Sequence, residues 1–169
     1  MVRLFRRLDA KGAIGLAILA LVIVAALAAP WLAPVDPNAQ DLLNAIAPPA
    51  FTGGTWEHTL GTDRLGQDVL SRIIYGARVS LVTAAAAVAG STLLGTALGL
   101  LAGYFGGWIA TVIMRLVDIV LAIPFILLAL VFVTVFGPSL LNVVAAFIAA
   151  RWVQYTRIVY GLVLELRER

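Results

Sequence analysis

Three long stretches without a charged residue constrain this chain more than any other feature. No charge lies between Lys11 and Asp36, between Arg78 and Arg115, or between Asp118 and Arg151. An α-helix rises ~1.5 Å per residue, so about 20 apolar residues cross a hydrocarbon core about 30 Å thick. The second and third stretches are too long for one upright span. Each contains a break point, Gly103-Tyr104-Phe105-Gly106-Gly107 in one and Gly137-Pro138-Ser139 in the other. A composition of 62% hydrophobic and 12% charged residues, with mean hydropathy +1.02, argues against a water-soluble fold. The expected class is all-α: a polytopic transmembrane helical protein with about four membrane helices and an external amphipathic helix.

Taken in order, the first span reads from Gly12 to about Leu32, with Trp31 placed for an interfacial aromatic belt. Ala26-Leu27-Ala28 resembles a signal cleavage site, but the apolar stretch is longer than the roughly 7–15 residues of a signal core. From about Ala33 to Arg78 the chain is polar. Pro30, Pro34, Pro37, Pro48, Pro49 and Thr52-Gly53-Gly54 mark its first half as loop. In the second half, Leu65, Val69, Ile73 and Ala77 recur at helical spacing, which predicts an amphipathic helix lying along the membrane surface. A second span is expected over Val79–Ala102 and a third over Ile119–Phe136, bent by Pro124. A fourth should start at Leu140 and end between Tyr155 and Leu162. The expected division is residues 1–78 (N-terminal arm, first span, external loop) and 79–169 (core spans).

Within the second span, Ala87, Ser91, Gly95, Gly99 and Gly103 repeat every four positions, a small-residue seam that lets another helix backbone approach closely. Arg115 and Asp118, at i and i+3, are placed to pair on one helix face. Arg151 and Arg157 read as residues of the last turns, snorkelling towards headgroups. Basic residues set the orientation. Arg3, Arg6, Arg7 and Lys11 against Asp9 give the arm a charge of +3, residues 151–169 carry +2, and residues 36–78 carry −2. A cytoplasmic N-terminus and an external loop follow from that asymmetry.

Catalytic chemistry finds little support. Without cysteine there is no disulfide or thiolate site. His58, the single histidine, is too few for an imidazole metal site and reads as a satisfied loop residue. Asp63 and Asp68, near Arg64 and Arg72, read as capping and ion-pair residues rather than as an acid–base pair. The glycine clusters lack the Gly-Lys-Ser/Thr ending of a phosphate loop, and no nucleophile elbow occurs. Nucleic acid is not an expected partner, because the N-terminal basic residues stand directly before a hydrophobic run. Membrane lipid is.

The stretch His58-Thr59-Leu60-Gly61-Thr62-Asp63-Arg64-Leu65-Gly66-Gln67-Asp68-Val69-Leu70-Ser71-Arg72-Ile73-Ile74-Tyr75-Gly76-Ala77-Arg78-Val79-Ser80-Leu81 resembles the signature that follows the first span in C-type permease subunits of bacterial ABC importers for dipeptides, oligopeptides and nickel. Gly99-Leu100-Leu101-Ala102-Gly103-Tyr104-Phe105-Gly106-Gly107, Arg115-Leu116-Val117-Asp118, Ala122-Ile123-Pro124, Phe136-Gly137-Pro138-Ser139-Leu140 and Trp152-Val153-Gln154-Tyr155-Thr156-Arg157 are similar to the same family. The resemblance marks Leu60, Gly61, Thr62, Asp63, Gly66, Asp68, Ser71, Arg72, Gly76, Ala77 and Arg78 as signature residues. Ser91, Gly95, Gly99 and Gly103 stand as packing positions, and Arg115, Asp118 and Pro124 as pathway or gating candidates. Two departures stand out. Tyr160 occupies a position where the family has arginine, and Leu164-Glu165-Leu166-Arg167-Glu168-Arg169 stands where the family runs on into a cytoplasmic Glu-Ala-Ala loop and two more helices.

The resemblance implies a non-enzymatic permease subunit with six helices when complete, of which this chain is the first part. It implies a second permease subunit, two ATPase subunits that bind the ATP, an extracytoplasmic substrate-binding protein, and no cofactor in the chain itself. The expected location is the bacterial plasma (inner) membrane. Peptides are the default substrate, with nickel or glutathione-like compounds as alternatives. A different reading is a helical membrane scaffold whose Gly95/Gly99/Gly103 seam assembles partners without moving a substrate.

Overall fold

The structure, a computed structural model, describes residues 10–167. The basic residues Arg3, Arg6 and Arg7 of the expected anchor lie outside the described residues. Six α-helices occur among the described residues: α1 (Ala10–Leu27), α2 (Ala29–Leu32), α3 (Val69–Phe105), α4 (Gly107–Ala122), α5 (Phe125–Phe136) and α6 (Leu140–Arg167). Extended pairing among them is limited to one bridge, between Thr62 and Asp68. Contacts gather in two compact units, Met1–Val82 and Thr83–Arg169.

In the first unit, α1 exposes nearly all of its apolar surface, as a helix in lipid does. The span expected to run unbroken to about Leu32 stops at Leu27. Pro30 has no N–H and its ring crowds the preceding turn, so the chain restarts as α2, where Leu32 donates to the Ala28 carbonyl (2.9 Å). The polar stretch that follows is loop with three single 3₁₀ turns, Leu42–Asn44, Ala50–Thr52 and Trp56–His58.

One sequence expectation fails at the start of α3. No separate surface helix precedes a second span. A single helix of 37 residues runs from Val69 to Phe105, about 55 Å at 1.5 Å per residue. Nothing between Ala77 and Val82 breaks it, because Arg78 and Ser80 are tolerated in a helix and no proline or capping turn intervenes. The helix also passes Gly103. It ends only where Gly106 takes φ 65° and ψ −153°, a conformation L side chains rarely adopt.

In the second unit, α3 and α6 run in the same direction in direct contact, and α4 returns antiparallel, packed against both. Ala102, Ala110 and Ile113 form one buried cluster with Leu98, Ile109 and Tyr160 packed on it; Val117, Trp152 and Val153 form another with Leu98, Met114 and Val120. The expected third span is corrected as well. Pro124 does not bend a continuous helix over Ile119–Phe136; it separates α4 from α5, whose axes differ by 90°. The missing N–H and the ring of Pro124 end α4 two residues earlier, at Ala122, and Pro124 becomes the residue before α5. The Gly137-Pro138-Ser139 break stands where expected. Gly137 has φ 84°, and the Ser139 hydroxyl accepts the Asn142 N–H at 3.2 Å, capping α6.

The expectation of four spans is also revised. Two helices, α1 and α3, are long and apolar enough to cross a membrane, or three spans if the α4–α5 pair is one broken span. α6 has the length, at 28 residues, but Asn142, Arg151, Gln154 and Arg157 interrupt its apolar surface. It follows α3 through the bundle instead of presenting a uniformly apolar surface of its own.

Candidate functional site: signature loop, helix seam and broken span

The loop before α3 is knotted by hydrogen bonds that begin with two carboxylates. Asp68, almost fully buried, stands immediately before α3 and accepts the Ser71 N–H at 2.7 Å, the geometry of an N-cap. Its other oxygen faces Nδ1 of His58 at 3.1 Å. Asp63 accepts the N–H groups of Leu65 (2.8 Å) and Gln67 (3.0 Å) and pairs with the Arg72 guanidinium, which also reaches Gln67 Oε1. These donors hold the Asp63 carboxyl below its ordinary pKa; the Gln67 N–H contributes most, and partial desolvation opposes it.

Asp63 to Gly66 is a turn closed by the Gly66 N–H on the Asp63 carbonyl at 3.0 Å, with Gly66 at φ 71°. A Cβ on Gly66 would collide with the backbone of Asp41, so the second segment of the loop lies directly against this glycine. Thr62 ties the same segments. Its hydroxyl donates to the Asn44 carbonyl and accepts the Ala47 N–H at 2.8 Å. Ser71, fully buried, accepts the Val35 N–H through its hydroxyl at 3.3 Å. Gly61, Thr62, Asp63, Gly66, Asp68, Ser71 and Arg72 thus meet in one folded element, and Leu60, half-buried, stands just before it. Gly76, Ala77 and Arg78 do not join it; they lie further along α3, with Gly76 and Arg78 exposed.

The small-residue seam faces α6. A Cβ on Gly95 would fall 2.6 Å from Tyr155 Cβ and against the Trp152 carbonyl; on Gly99 it would lie 2.8 Å from the Thr156 carbonyl oxygen, and on Gly103 2.5 Å from Val163 Cβ. The close approach lets the buried Thr156 hydroxyl reach the Gly95 carbonyl at 3.1 Å. Arg167 donates to the Gly103 carbonyl at 2.8 Å and to that of Tyr104 at 3.2 Å, satisfying acceptors of the last turn of α3. Ser91 is buried on the same stripe, and its hydroxyl has no hydrogen-bond partner.

The three pathway candidates separate. Arg115 and Asp118 do not pair with each other. Asp118 meets Arg157 of α6 at 2.6 Å, because the antiparallel packing of α4 on α6 places that guanidinium across from it, while Arg115 points outward. Pro124 lines a cavity of about 290 Å³ at the α4–α5 break, together with Val120, Ile123, Phe125, Arg151 and Gln154. Sequence reasoning missed Arg151 and Gln154 as lining residues. It placed Arg151 in the last turns of its helix, whereas α6 continues 16 residues further, to Arg167. Among the described residues no cluster of three or more His, Cys, Asp or Glu side chains is arranged for a metal.

Helices long and apolar enough to cross a membrane, with a 90° break at α4–α5 beside a cavity that Arg151 and Gln154 help to line, make this an all-α polytopic membrane protein. The chain belongs to the inner-membrane permease components of binding-protein-dependent transport systems: residues 95–169 match the family described as "Binding-protein-dependent transport system inner membrane component", and residues 11–49 match the "N-terminal TM domain of oligopeptide transport permease C". It is 41% identical to the dipeptide transport system permease protein DppC of Haemophilus influenzae over 92% of this chain and 53% of that protein. Identity is 43% to the di/tripeptide transport system permease protein DppC of Pseudomonas aeruginosa (91% and 52%), and 47% to the dipeptide transport system permease protein DppC of Escherichia coli K12 (91% and 52%). The chain therefore spans about half the length of the curated relatives it matches.

Proposed function

We propose that this chain forms part of the transmembrane path of a binding-protein-dependent importer of di- and oligopeptides. The observation that carries this reading is the likeness, over nine-tenths of the chain, to permeases named for dipeptide and di/tripeptide transport. The bundle supports it physically. Irregular backbone such as the Ala122–Phe125 break is tolerated at membrane depth only when buried in protein or lining an aqueous space, and a cavity adjoins this one. Gly95, Gly99 and Gly103 are already covered by α6, which weighs against a scaffold that recruits partners through them.

In this reading the chain sits in the bacterial inner membrane with its N-terminus cytoplasmic and the signature loop outside. It works with a second permease subunit, two ATPase subunits that bind ATP, and an external binding protein. ATP binding and hydrolysis would favour inward- or outward-facing states through different contacts in each, without a reaction in the permease and without a cofactor of its own. The test is accumulation of labelled dipeptide in cells lacking their native dipeptide permease and supplied with the permease containing these residues and its partners. ATP-dependent uptake that excess unlabelled dipeptide competes away is expected. Labelled nickel and labelled glutathione are supplied in parallel: accumulation of one of those but not of the dipeptide would replace the peptide substrate, and an inserted complex that accumulates none of the three would sink the transport reading.

A further inference from the structure

Arg151 stands at mid-depth in the bundle, without an acidic partner among the described residues. Ile148 of α6 packs at Gly90 of α3, and Trp152 packs at Gly95. Arg151 is therefore level with the stretch between those glycines, near the middle of the uncharged part of α3 from Val79 to Phe105. At ~1.5 Å per residue it lies about 20 Å from either end of that stretch, too far for its head to reach the level of either end. Among the described residues the ion pairs are His58–Asp68, Arg72–Asp63 and Arg157–Asp118, so Asp118, the acid of the bundle closest in sequence to the break, is already taken by Arg157. The contact found for Arg151 is the ring of Phe125, 6.0 Å from its guanidinium carbon. Charged groups at this depth face cavities or partners and mark the route of a ligand. Arg151 lines the cavity at the α4–α5 break, and Gln154, one helical turn on, lines it too.

We propose that Arg151 receives the free carboxylate of the peptide as it passes the α4–α5 break, with Gln154 hydrogen-bonding the adjoining peptide group. This rests on the peptide-transport reading. A planar guanidinium matches a carboxylate with two parallel hydrogen bonds, and a side-chain amide offers both a donor and an acceptor to a peptide unit. A lipid phosphate would be met at headgroup level, not at mid-depth. The Phe125 face holds the guanidinium in place without neutralising it, so the charge stays available to a passing anion.

The experiment uses proteoliposomes of the assembled transport system with the permease containing these residues. Two labelled substrates are compared, a dipeptide with a free C-terminus and its C-terminal amide, each supplied at a concentration that saturates the binding protein. Arg151→Gln should lower uptake of the free acid by about tenfold or more, the loss expected of one charge-assisted hydrogen bond, and leave the amide within about twofold. Arg151→Lys should keep part of the preference for the acid. Equal falls for acid and amide in both variants would overturn the proposal and assign Arg151 to packing or to a carboxylate of the second permease subunit. Unchanged uptake of both substrates in Arg151→Gln would also overturn it. Failure of the unaltered system to take up either peptide would instead remove the transport reading beneath it.

Discussion

Asp68 holds three parts of the loop together: it caps α3 through the Ser71 N–H, faces His58, and lies beside the turn that Gly66 makes possible. Replacing Asp68 by alanine should cost about 1 kcal/mol for the cap alone, and more because His58 loses its acceptor. The thermal midpoint of the detergent-solubilised protein reads this loss. Arg64→Ala, at an exposed position of the same turn, should stay within about 0.5 kcal/mol of the parent. Equal effects from both would deny Asp68 its structural role. Asp63 makes a prediction with a sign. Its folded-state pKa is lowered from 3.8, so its contribution is complete above that value and is lost as pH falls through the lower folded-state value. Asp63→Asn should therefore flatten the decline of the thermal midpoint below about pH 3.8, and an unchanged acid limb would refute the assignment. The sequence already placed Asp63 and Asp68 as capping and ion-pair residues from their position beside Arg64 and Arg72. It did not reveal that Arg72 is the arginine used, because that choice depends on α3 beginning at Val69 and carrying Arg72 back over the turn.

At the scale of elements, the four-residue spacing of the seam was readable because small residues at helical period have one physical use in lipid, close backbone approach. The identity of the covering helix was not, since spacing on one helix carries no information about its neighbour. Gly95→Leu should collapse the yield of folded protein by forcing α6 away from the Trp152 carbonyl, whereas Ala97→Leu, an enlargement to the same side chain at an exposed position of α3, should not. Fluorescence-detected size exclusion of the tagged permease compares the two, and similar profiles would remove the seam from the packing account. The break between α4 and α5 was half-read. Proline predicts a disturbance at Pro124, but a bend and a full 90° separation differ only in whether neighbouring residues supply packing for two short helices. Here Phe125 against Phe147 and Val117 against Val153 do so.

For the molecule as a whole, orientation is the property most open to direct measurement. Single cysteines at Asn44 or Thr55, both in the exposed loop, should react with an impermeant thiol reagent added outside intact cells, and a cysteine at Arg6 should react only after permeabilisation. The reverse pattern would overturn the orientation argued from the basic residues. By itself the sequence determined that this is a helical membrane protein, where its principal breaks fall, and which family it resembles. Each of these follows from local quantities: runs of apolar residues, prolines and glycines, and a contiguous signature. Only the tertiary structure decided that the amphipathic stretch and the second span are one helix, that Asp118 pairs with Arg157 rather than Arg115, and that Arg151 opens on a cavity. Those outcomes depend on which helices pack together and at what level, and packing compares surfaces far apart in the chain that no local pattern brings side by side.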